Sequence, residues 1–227
     1  MNNHPGLLLD LDNTLYDYHP PHAAAQAAAL GYLSRALGAD PATVEAAFVH
    51  ARVQIHRELA HTASSHNRLL YFQRTLERLG WAGYRDAWQA SEIYWAVFFE
   101  HMRLRPGVRR FLDSVKGRAI CLVTDLTAHI QYRKLLHLDL LSYFTHLVTS
   151  EETGREKPHP YIFLSALHKM GLGPDDVCMI GDNFDKDIMG ATALGIPAIW
   201  LYSETDRAHL PATVRTVSSF DQLIGRI

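Results

Sequence analysis

The chain has little cysteine and no excess of basic residues, and both features exclude classes of protein. Its 227 residues include two cysteines, and each lies in a short apolar run, at residues 119–123 and 177–180. We therefore expect Cys121 and Cys178 to be buried, reduced thiols and not a disulfide or metal ligands. The formal net charge of -2 argues against a nucleic-acid partner, because binding to a phosphate backbone needs clustered Lys and Arg.

Membrane segments and histidine metal sites are absent as well. No apolar run is long enough to span a bilayer, and residues 1–5 lack the basic and apolar regions of a signal peptide. The 14 histidines include no metal-binding pair of the HExxH type, and His50, His56 and His61 do not share one helical face. We therefore expect a cytoplasmic protein that makes no contact with a membrane and whose helical histidines are solvated.

A long segment near the start of the chain carries helix signals and no strand pattern. Asp40 and Pro41 supply the N-cap and the first turn of one helix, and Gly38 and Gly80 end two others. Apolar residues recur at helical spacing between these points, so we expect the helices to pack together as a four-helix bundle. The predicted helices span residues 22–37, 41–61, from Ser64 or Ser65 to 79, and 84–101.

The rest of the chain alternates short apolar runs with helices. This pattern is typical of a parallel sheet that is covered by helices on both faces. We therefore predict an α/β fold in which the helical segment is an insertion after the first strand. The predicted strands are residues 7–9, 119–123, 146–149, 177–180 and 198–201, and the predicted helices among them are residues 108–116, 130–136, 161–170 and 185–194.

Polar residues follow several of these strands at their carboxyl ends, where active groups gather in open α/β sheets. Asp10 and Asp12 are like charges two residues apart, so a structure that keeps them supplies a divalent cation or a shared proton. Taken singly, each acid also suits a turn or a helix cap, but their coincidence at one sheet edge favours catalysis. The residues expected to converge there are Asp10, Asp12, Thr124, Asp125, Asp182, Asn183, Asp187 and, from a loop, Lys157.

These residue types suit phosphoryl transfer. We interpret Asp10 as a nucleophile that forms an aspartyl-phosphate, and Asp12 as the general acid and base. Mg²⁺ prefers oxygen ligands, and we expect it to bind Asp10, Asp182 and the main-chain carbonyl of Asp12. The remaining expected roles are support of the metal ligands by Asp187 and Asn183, and binding of the phosphate oxygens by Thr124, the amide of Asp125, and Lys157.

Four motifs, in this order, resemble those of the haloacid dehalogenase-like (HAD) hydrolase superfamily. They are DLDNTL from Asp10, Thr124 after its strand, Lys157 before a proline, and GDNFDKD from Gly181 to Asp187. The helical insertion is similar to the cap of the phosphatase subgroup. Asp125 is a departure, because many relatives have Asn there, and it leaves the role of this side chain open.

The resemblance implies a fold, an activity and a cofactor. We expect a Rossmann-like core of residues 1–16 and 105–227, and a mobile helical cap of residues 17–104. The implied activity is Mg²⁺-dependent hydrolysis of a small phosphorylated metabolite. Candidates for substrate contact are His66 and Arg68 at a helix start and Tyr16 at the entry to the cap.

Alternative functions are a metal-independent haloacid dehalogenase, a phosphosugar mutase and a non-catalytic phosphometabolite-binding module. Asp12 argues against the dehalogenase, because relatives with that chemistry carry no acid at this position. Nucleotides, sugar phosphates, phosphoglycolate-like acids and flavin mononucleotide all suit the sequence as substrates. A monomer and a small homo-oligomer are equally compatible with it.

Overall fold

The computed structural model describes residues 4–201 and 210–227. The chain divides into two compact units, one of Met1–Asp17 with Arg103–Ile227 and one of Tyr18–Met102. Residues 1–3 lie outside the described residues. They belong to residues 1–5, for which the sequence predicts no signal peptide. No helix in the described ranges combines the length and the hydropathy that crossing a membrane requires.

Four helices make up the unit of Tyr18–Met102, as predicted. The first of them starts three residues earlier than the sequence suggested, because prolines are tolerated in a first helical turn, where the N–H groups have no partner in the helix. The four helices are α1 (His19–Leu37), α2 (Pro41–Glu58), α3 (Arg68–Arg78) and α4 (Tyr84–His101).

The start of α3 corrects one prediction. Ser64 and Ser65 lie in a separate 3-10 turn, Ala63–His66, and neither is the N-cap of α3. The residue that caps α3 is Asn67, whose backbone is extended and whose side chain accepts a hydrogen bond from the amide of Leu70 at 3.3 Å. An N-cap needs this extended backbone, which a residue inside a helical turn does not have. The prediction of a serine cap was therefore wrong.

Aromatic side chains fill the interior of the helical unit. The rings of Phe48 and Phe72 stack with centroids 5.5 Å apart, and those of Tyr94 and Phe98 at 5.9 Å. All four side chains are buried, and large aromatic rings contribute much of the apolar area that a small core can bury. His50 and His61 are exposed, as predicted.

One prediction about the histidines was wrong. His56 is half-buried and forms a hydrogen bond of 2.7 Å with the hydroxyl of Tyr71. The partly buried face of α2 thus gives this histidine a side-chain partner.

The other unit is built around a parallel sheet, which confirms the predicted fold class. Six strands lie in the order β3-β2-β1-β4-β5-β6, and every neighbouring pair is parallel. The strands are β1 (Gly6–Leu9), β2 (Ala119–Thr124), β3 (His146–Thr149), β4 (Val177–Gly181), β5 (Ala198–Leu201) and β6 (Val214–Val217). The last of these was not predicted.

Both faces of the sheet are covered. Successive residues of a strand point to opposite faces, yet Leu7, Leu8 and Leu9 of β1 are all fully buried. The same is true of Cys121, which is a free, buried thiol like Cys178, as predicted. The helices of this unit are α5 (Val108–Ser114), α6 (Ala128–His137), α7 (Ser150–Thr153), α8 (Pro160–Met170) and α9 (Met189–Thr192).

The strand order has a reversal at its centre. From β1 the chain builds outward through β2 and β3 and then returns to place β4 on the other side of β1. This is the order of Rossmann-like folds, and ligands bind beside the carboxyl ends of the strands at such a reversal. The residues that follow β1 and β4 therefore lie at the expected position of an active site.

Candidate active site

Three carboxylates meet beside the carboxyl ends of β1 and β4. Asp10 follows β1, Asp182 follows β4, and Asp187 comes from the next turn of the chain. One oxygen from each lies within 4.8 Å of the other two. In the part of the chain that the structure describes, this is the one group of His, Cys, Asp or Glu side chains that can hold a metal ion.

The backbone around Gly181 brings Asp187 to this place. A Cβ at Gly181 would lie 2.3 Å from Oδ2 of Asp187, so only glycine leaves room for the carboxylate. The chain then makes a π-helical turn, Phe184–Ile188, where a regular helix was predicted. The main-chain N–H of Asn183 donates to Oδ2 of Asp187 at 3.0 Å. A π-turn is a rare element that often occurs at functional sites, because it redirects a side chain.

Thr14 and Asn13 connect the acids, and neither was predicted as a site residue. The hydroxyl of Thr14 lies 2.8 Å from Asp10 Oδ2 and 3.1 Å from Asp182 Oδ1, so it can donate to either. It also accepts a hydrogen bond of 3.0 Å from the Asp182 amide. Asn13 has a φ of 64°, which Asn tolerates better than most residues, and donates to Asp182 Oδ2 at 2.6 Å.

Lys157 is the positive charge inside this group. Its ammonium lies 2.6 Å from Asp10 Oδ1 and 2.7 Å from Asp187 Oδ1, and it donates to the carbonyl of Val123 at 2.9 Å. The contacts with Asp10 and Val123 are hydrogen bonds, and the contact with Asp187 is an ion pair. With a side chain only 3% exposed, Lys157 holds the two acids together, and binding a phosphate oxygen would require exchange of one of these contacts.

The site has three acids and one cation, and the pKa values of all three acids are raised. Burial raises the pKa of Asp10 to about 7, with Lys157 opposing the shift and Asp187 adding to it. Burial also raises the pKa values of Asp182 and Asp187. Burial lowers the pKa of Lys157, but Asp10 and Asp187 outweigh this effect and keep it well above its ordinary value. When all three acids are ionised, they carry two negative charges more than the one ammonium of Lys157 balances.

A divalent cation fits this arrangement. Two positive charges balance the excess of the three ionised acids over Lys157, and carboxylate oxygens are the ligands that hard divalent cations prefer. The three side chains are close enough to share one ion. The triad can therefore hold a metal ion.

Asp12 has a different set of partners. Its Oδ2 accepts a hydrogen bond of 2.9 Å from Nε2 of Gln131, and its Oδ1 contacts the ammonium of Lys134 and the hydroxyl of Tyr16. Burial alone raises the pKa of Asp12, but Lys134, Tyr16 and Gln131 outweigh it and hold this pKa below its ordinary value. The side chain of Asp12 is thus separate from the triad, and Tyr16, a candidate for substrate contact, is fully buried against it.

The residues after β2 lie beside the same group. Thr124 is fully buried and accepts a hydrogen bond of 2.5 Å from Gln131. The carboxylate of Asp125, whose role the sequence left open, accepts from the amide of Lys157 at 3.0 Å and pairs with Lys186 at 2.8 Å. Asp125 therefore fixes the loop that carries Lys157, and Lys186 balances its charge.

The two other substrate candidates belong to the helical unit. His66 is half-buried, and Arg68 lies in the first turn of α3 with 7% of its surface exposed. The guanidinium of Arg68 donates to the carbonyl of His66 and to the hydroxyl of Tyr18. It also lies 5.3–5.6 Å from three ring centroids, those of Tyr71, Tyr94 and Trp95.

Gln131 and Lys134 are the main residues that sequence reasoning missed. Both lie on α6 and are almost completely buried, at 0% and 1% exposure. The only signal was their spacing of three, which puts two polar residues on the same helical face as Leu135. A lysine in such a position is ordinarily interpreted as solvated, so nothing local revealed the contact with Asp12.

Comparisons with known proteins place this geometry in a family. The chain matches the model of the family described as haloacid dehalogenase-like hydrolase over residues 5–195. It is 38% identical over 198 residues to ribulose-1,5-bisphosphate 5-phosphatase of Halopiger xanaduensis, which covers 85% of this chain and 82% of that protein. It is 32% identical over 221 residues to phosphoserine phosphatase of Thermus thermophilus, with 86% and 87% covered.

Solved structures share the fold. A HAD phosphatase from Thermococcus onnurineus matches with a TM-score of 0.73 and 21% identity over 96% of this chain and 95% of that one. A 2-haloacid dehalogenase from Pseudomonas syringae matches with a TM-score of 0.75 and 23% identity over the same shares, 96% and 95%. The family match covers most of the chain, the sheet has the matching architecture, and the chain belongs to the haloacid dehalogenase-like hydrolases.

Proposed function

We propose that the protein is a Mg²⁺-dependent phosphomonoester hydrolase that acts on a small phosphorylated metabolite through an aspartyl-phosphate on Asp10. The observation that carries the proposal is the buried triad of Asp10, Asp182 and Asp187 around Lys157, with Asp12 held apart from it. Two similar proteins are named as phosphatases, which supports the same reaction here. Asp10 and Asp12 then have separate tasks.

The proposed reaction has two steps. Asp10 attacks phosphorus as the bond to the leaving oxygen breaks, and Asp12 gives that oxygen a proton. Water then attacks the aspartyl-phosphate, Asp12 takes up its proton, and inorganic phosphate leaves with Asp10 restored. Thr124, the amide of Asp125, and Lys157 hold the nonbridging oxygens during both steps.

Mg²⁺ would be held by Asp10, Asp182 and the main-chain carbonyl of Asp12. Asp187 and Asn183 would keep these ligands in place, and the hydrogen bond between them supports this role. When bound, the ion neutralises negative charge on the transferring group, which is worth several kcal/mol of the barrier. Without it, the substrate dianion would face an excess of carboxylates.

Removal of divalent cations tests this proposal. Excess EDTA is expected to stop phosphate release from a panel of monoesters, by about 10³-fold or more given the charge that one metal ion stabilises. Added Mg²⁺ should restore it. In Asp182→Asn the Mg²⁺ concentration for half-maximal activity should rise, whereas in Asp185→Asn, an exposed acid in the same turn, it should not change.

Each alternative function predicts a different experimental result. Halide release from a 2-haloacid in excess chelator would replace the proposal with a dehalogenase, and an isomerised sugar phosphate in place of free phosphate would replace it with a mutase. Tight binding of a phosphorylated metabolite without turnover, at saturating Mg²⁺, would identify a binding module.

We also propose that the helical unit, residues 17–104 by the sequence, acts as the cap and discriminates among substrates, with Arg68 and His66 as contacts. Arg68 is a buried cation without an ion pair to any carboxylate among the described residues. Burial and the positive charges of Arg68 and Arg52 lower the pKa of His22 to about 4. This positive field favours a second anionic group on the substrate, beyond the phosphate that is cleaved.

Arg68→Met measures this preference. Loss of one charge-assisted hydrogen bond is expected to lower kcat/KM about 10- to 100-fold for monoesters with a second phosphate or carboxylate, and much less for neutral alcohols. Arg57→Met, at an exposed arginine of α2, is the matched control. An unchanged ratio between the two substrate groups in Arg68→Met would remove Arg68 from substrate recognition.

A further inference from the structure

Two buried polar residues of α6 lie outside all four motifs. Gln131 and Lys134 are one helical turn apart and almost completely buried. A buried ammonium is stable only where it is paired and hydrogen-bonded, so Lys134 requires an acidic partner. That partner is Asp12, which is 122 residues away in the chain.

The contacts of Asp12 distinguish its two oxygens. Oδ1 has two donors, the ammonium of Lys134 and the hydroxyl of Tyr16. Oδ2 has one donor among the described residues, the amide of Gln131 at 2.9 Å. A carboxylate has about two acceptor sites on each oxygen, so Oδ1 is saturated and Oδ2 keeps one site. These contacts leave Oδ2 as the oxygen that can exchange a proton with a leaving group or with water.

Gln131 also contacts the residues after β2. Besides Asp12, its Nε2 lies 2.5 Å from the hydroxyl oxygen of Thr124 and 2.6 Å from the carbonyl of Asp125. A hydroxyl oxygen that accepts a hydrogen bond directs its own proton elsewhere. That proton is donated to the carbonyl of Asp125 at 3.3 Å. Because this contact is long, Thr124 can give it up and donate to a phosphate oxygen instead.

We propose that Lys134 and Gln131 are positioning residues for the two proton-handling groups of the site. Lys134 saturates Oδ1 of Asp12 and so assigns proton transfer to Oδ2. Gln131 fixes that same oxygen and the hydroxyl of Thr124 with one amide, which couples the orientation of Asp12 to the binding of the phosphate. This inference rests on the proposed phosphatase activity.

The two roles predict different kinetics for Lys134→Met and Gln131→Met. An alkyl leaving group needs a proton from Asp12, whereas p-nitrophenolate leaves without one. In Lys134→Met, kcat/KM for the best alkyl monoester should fall about 10- to 100-fold, within the range of general acid catalysis, and for p-nitrophenyl phosphate by less than about threefold. In Gln131→Met it should fall for both substrates, because both need Thr124.

A burst experiment adds a second readout. Asp12 also deprotonates water in the second step, so Lys134→Met should release one equivalent of p-nitrophenolate quickly and then turn over slowly. Lys169→Met is the matched control, since it removes an exposed ion pair with Glu152 on the same unit. It should leave both kcat/KM values and the burst as in the wild type.

The result that would overturn the inference is an equal fall for both substrates in Lys134→Met, or no fall for either. If Lys134→Met does not fold, as judged from its Tm, Lys134→Leu removes the same donor with a different apolar side chain and should change the substrate ratio in the same direction. Absence of phosphate release from both esters by the wild type with Mg²⁺ would instead contradict the proposed function itself.

Discussion

Asp10→Asn is expected to abolish phosphate release, with a fall in kcat on the order of 10⁴-fold or more, as for other essential nucleophiles. An amide cannot attack phosphorus, so the first step has no substitute group. Asp10 also contacts Lys157 at 2.6 Å and Thr14 at 2.8 Å. Asn retains a carbonyl oxygen of similar size, so these contacts should weaken without unfolding the site. The measurement is steady-state phosphate release, together with acid-stable phosphate on the protein.

Asp12→Asn provides the comparison for this variant. It should retain the Mg²⁺ affinity of the wild type, because Asp12 is expected to offer the metal only its main-chain carbonyl, and it should slow both proton transfers. Asp10→Asn should lose both Mg²⁺ affinity and the phosphorylated protein. An equal loss of Mg²⁺ affinity in the two variants would contradict the division of roles between the two acids.

Lys157→Met is expected to lower the free energy of unfolding in EDTA by about 3–5 kcal/mol, which is the usual cost of removing one partner from a buried ion pair. The ammonium lies within 2.7 Å of both Asp10 and Asp187, and without it the buried carboxylates repel each other. The effect should be largest well above the Asp10 pKa of about 7, where this acid is ionised. Urea unfolding measures it.

Mg²⁺ should restore part of the lost stability in Lys157→Met, since the unbalanced carboxylates attract a cation more strongly. It should not restore phosphate release, because Lys157 is also expected to bind the phosphate. Lys169→Met removes a partly exposed ion pair and should cost about 1 kcal/mol or less. A Lys157→Met protein as stable in EDTA as the wild type would show that the ion pairs of Lys157 do not stabilise the fold.

The sequence predicted the parallel sheet because strands buried on both faces are almost continuously apolar, as in β1 and β4. It failed at β6, an edge strand in which Arg215 and Thr216 are exposed and only two residues are apolar. The π-helical turn before α9 was predicted as regular helix, because the apolar spacing does not reveal one extra residue in a turn. Hydrophobic patterns thus predict elements that are fully buried. They do not predict edge strands that are partly exposed or helical turns of irregular geometry.

Within the site, the position of Asp10 could be predicted from the sequence, and that of Lys134 could not. Asp10 and Asp182 follow apolar strands, and parallel strands of one sheet end at one edge, so their convergence was predictable. Lys134 reaches Asp12 only because α6 turns one face toward the loop after β1, and no local feature of residues 128–137 indicates which partner that face meets. Gln131, on the same helix, was missed for this reason.

The central position of β1 has a consequence for folding during synthesis. Gly6 pairs with Ala119 on one side and with Val177 on the other, so β1 has no strand to pair with until more than half of the chain has been made. All of Tyr18–Met102 leaves the ribosome before then. Local helical contacts form faster than pairings between distant strands. The helical unit therefore completes its own core first, and β1 with the acids that follow it can pair only after β2 and β4 have been made.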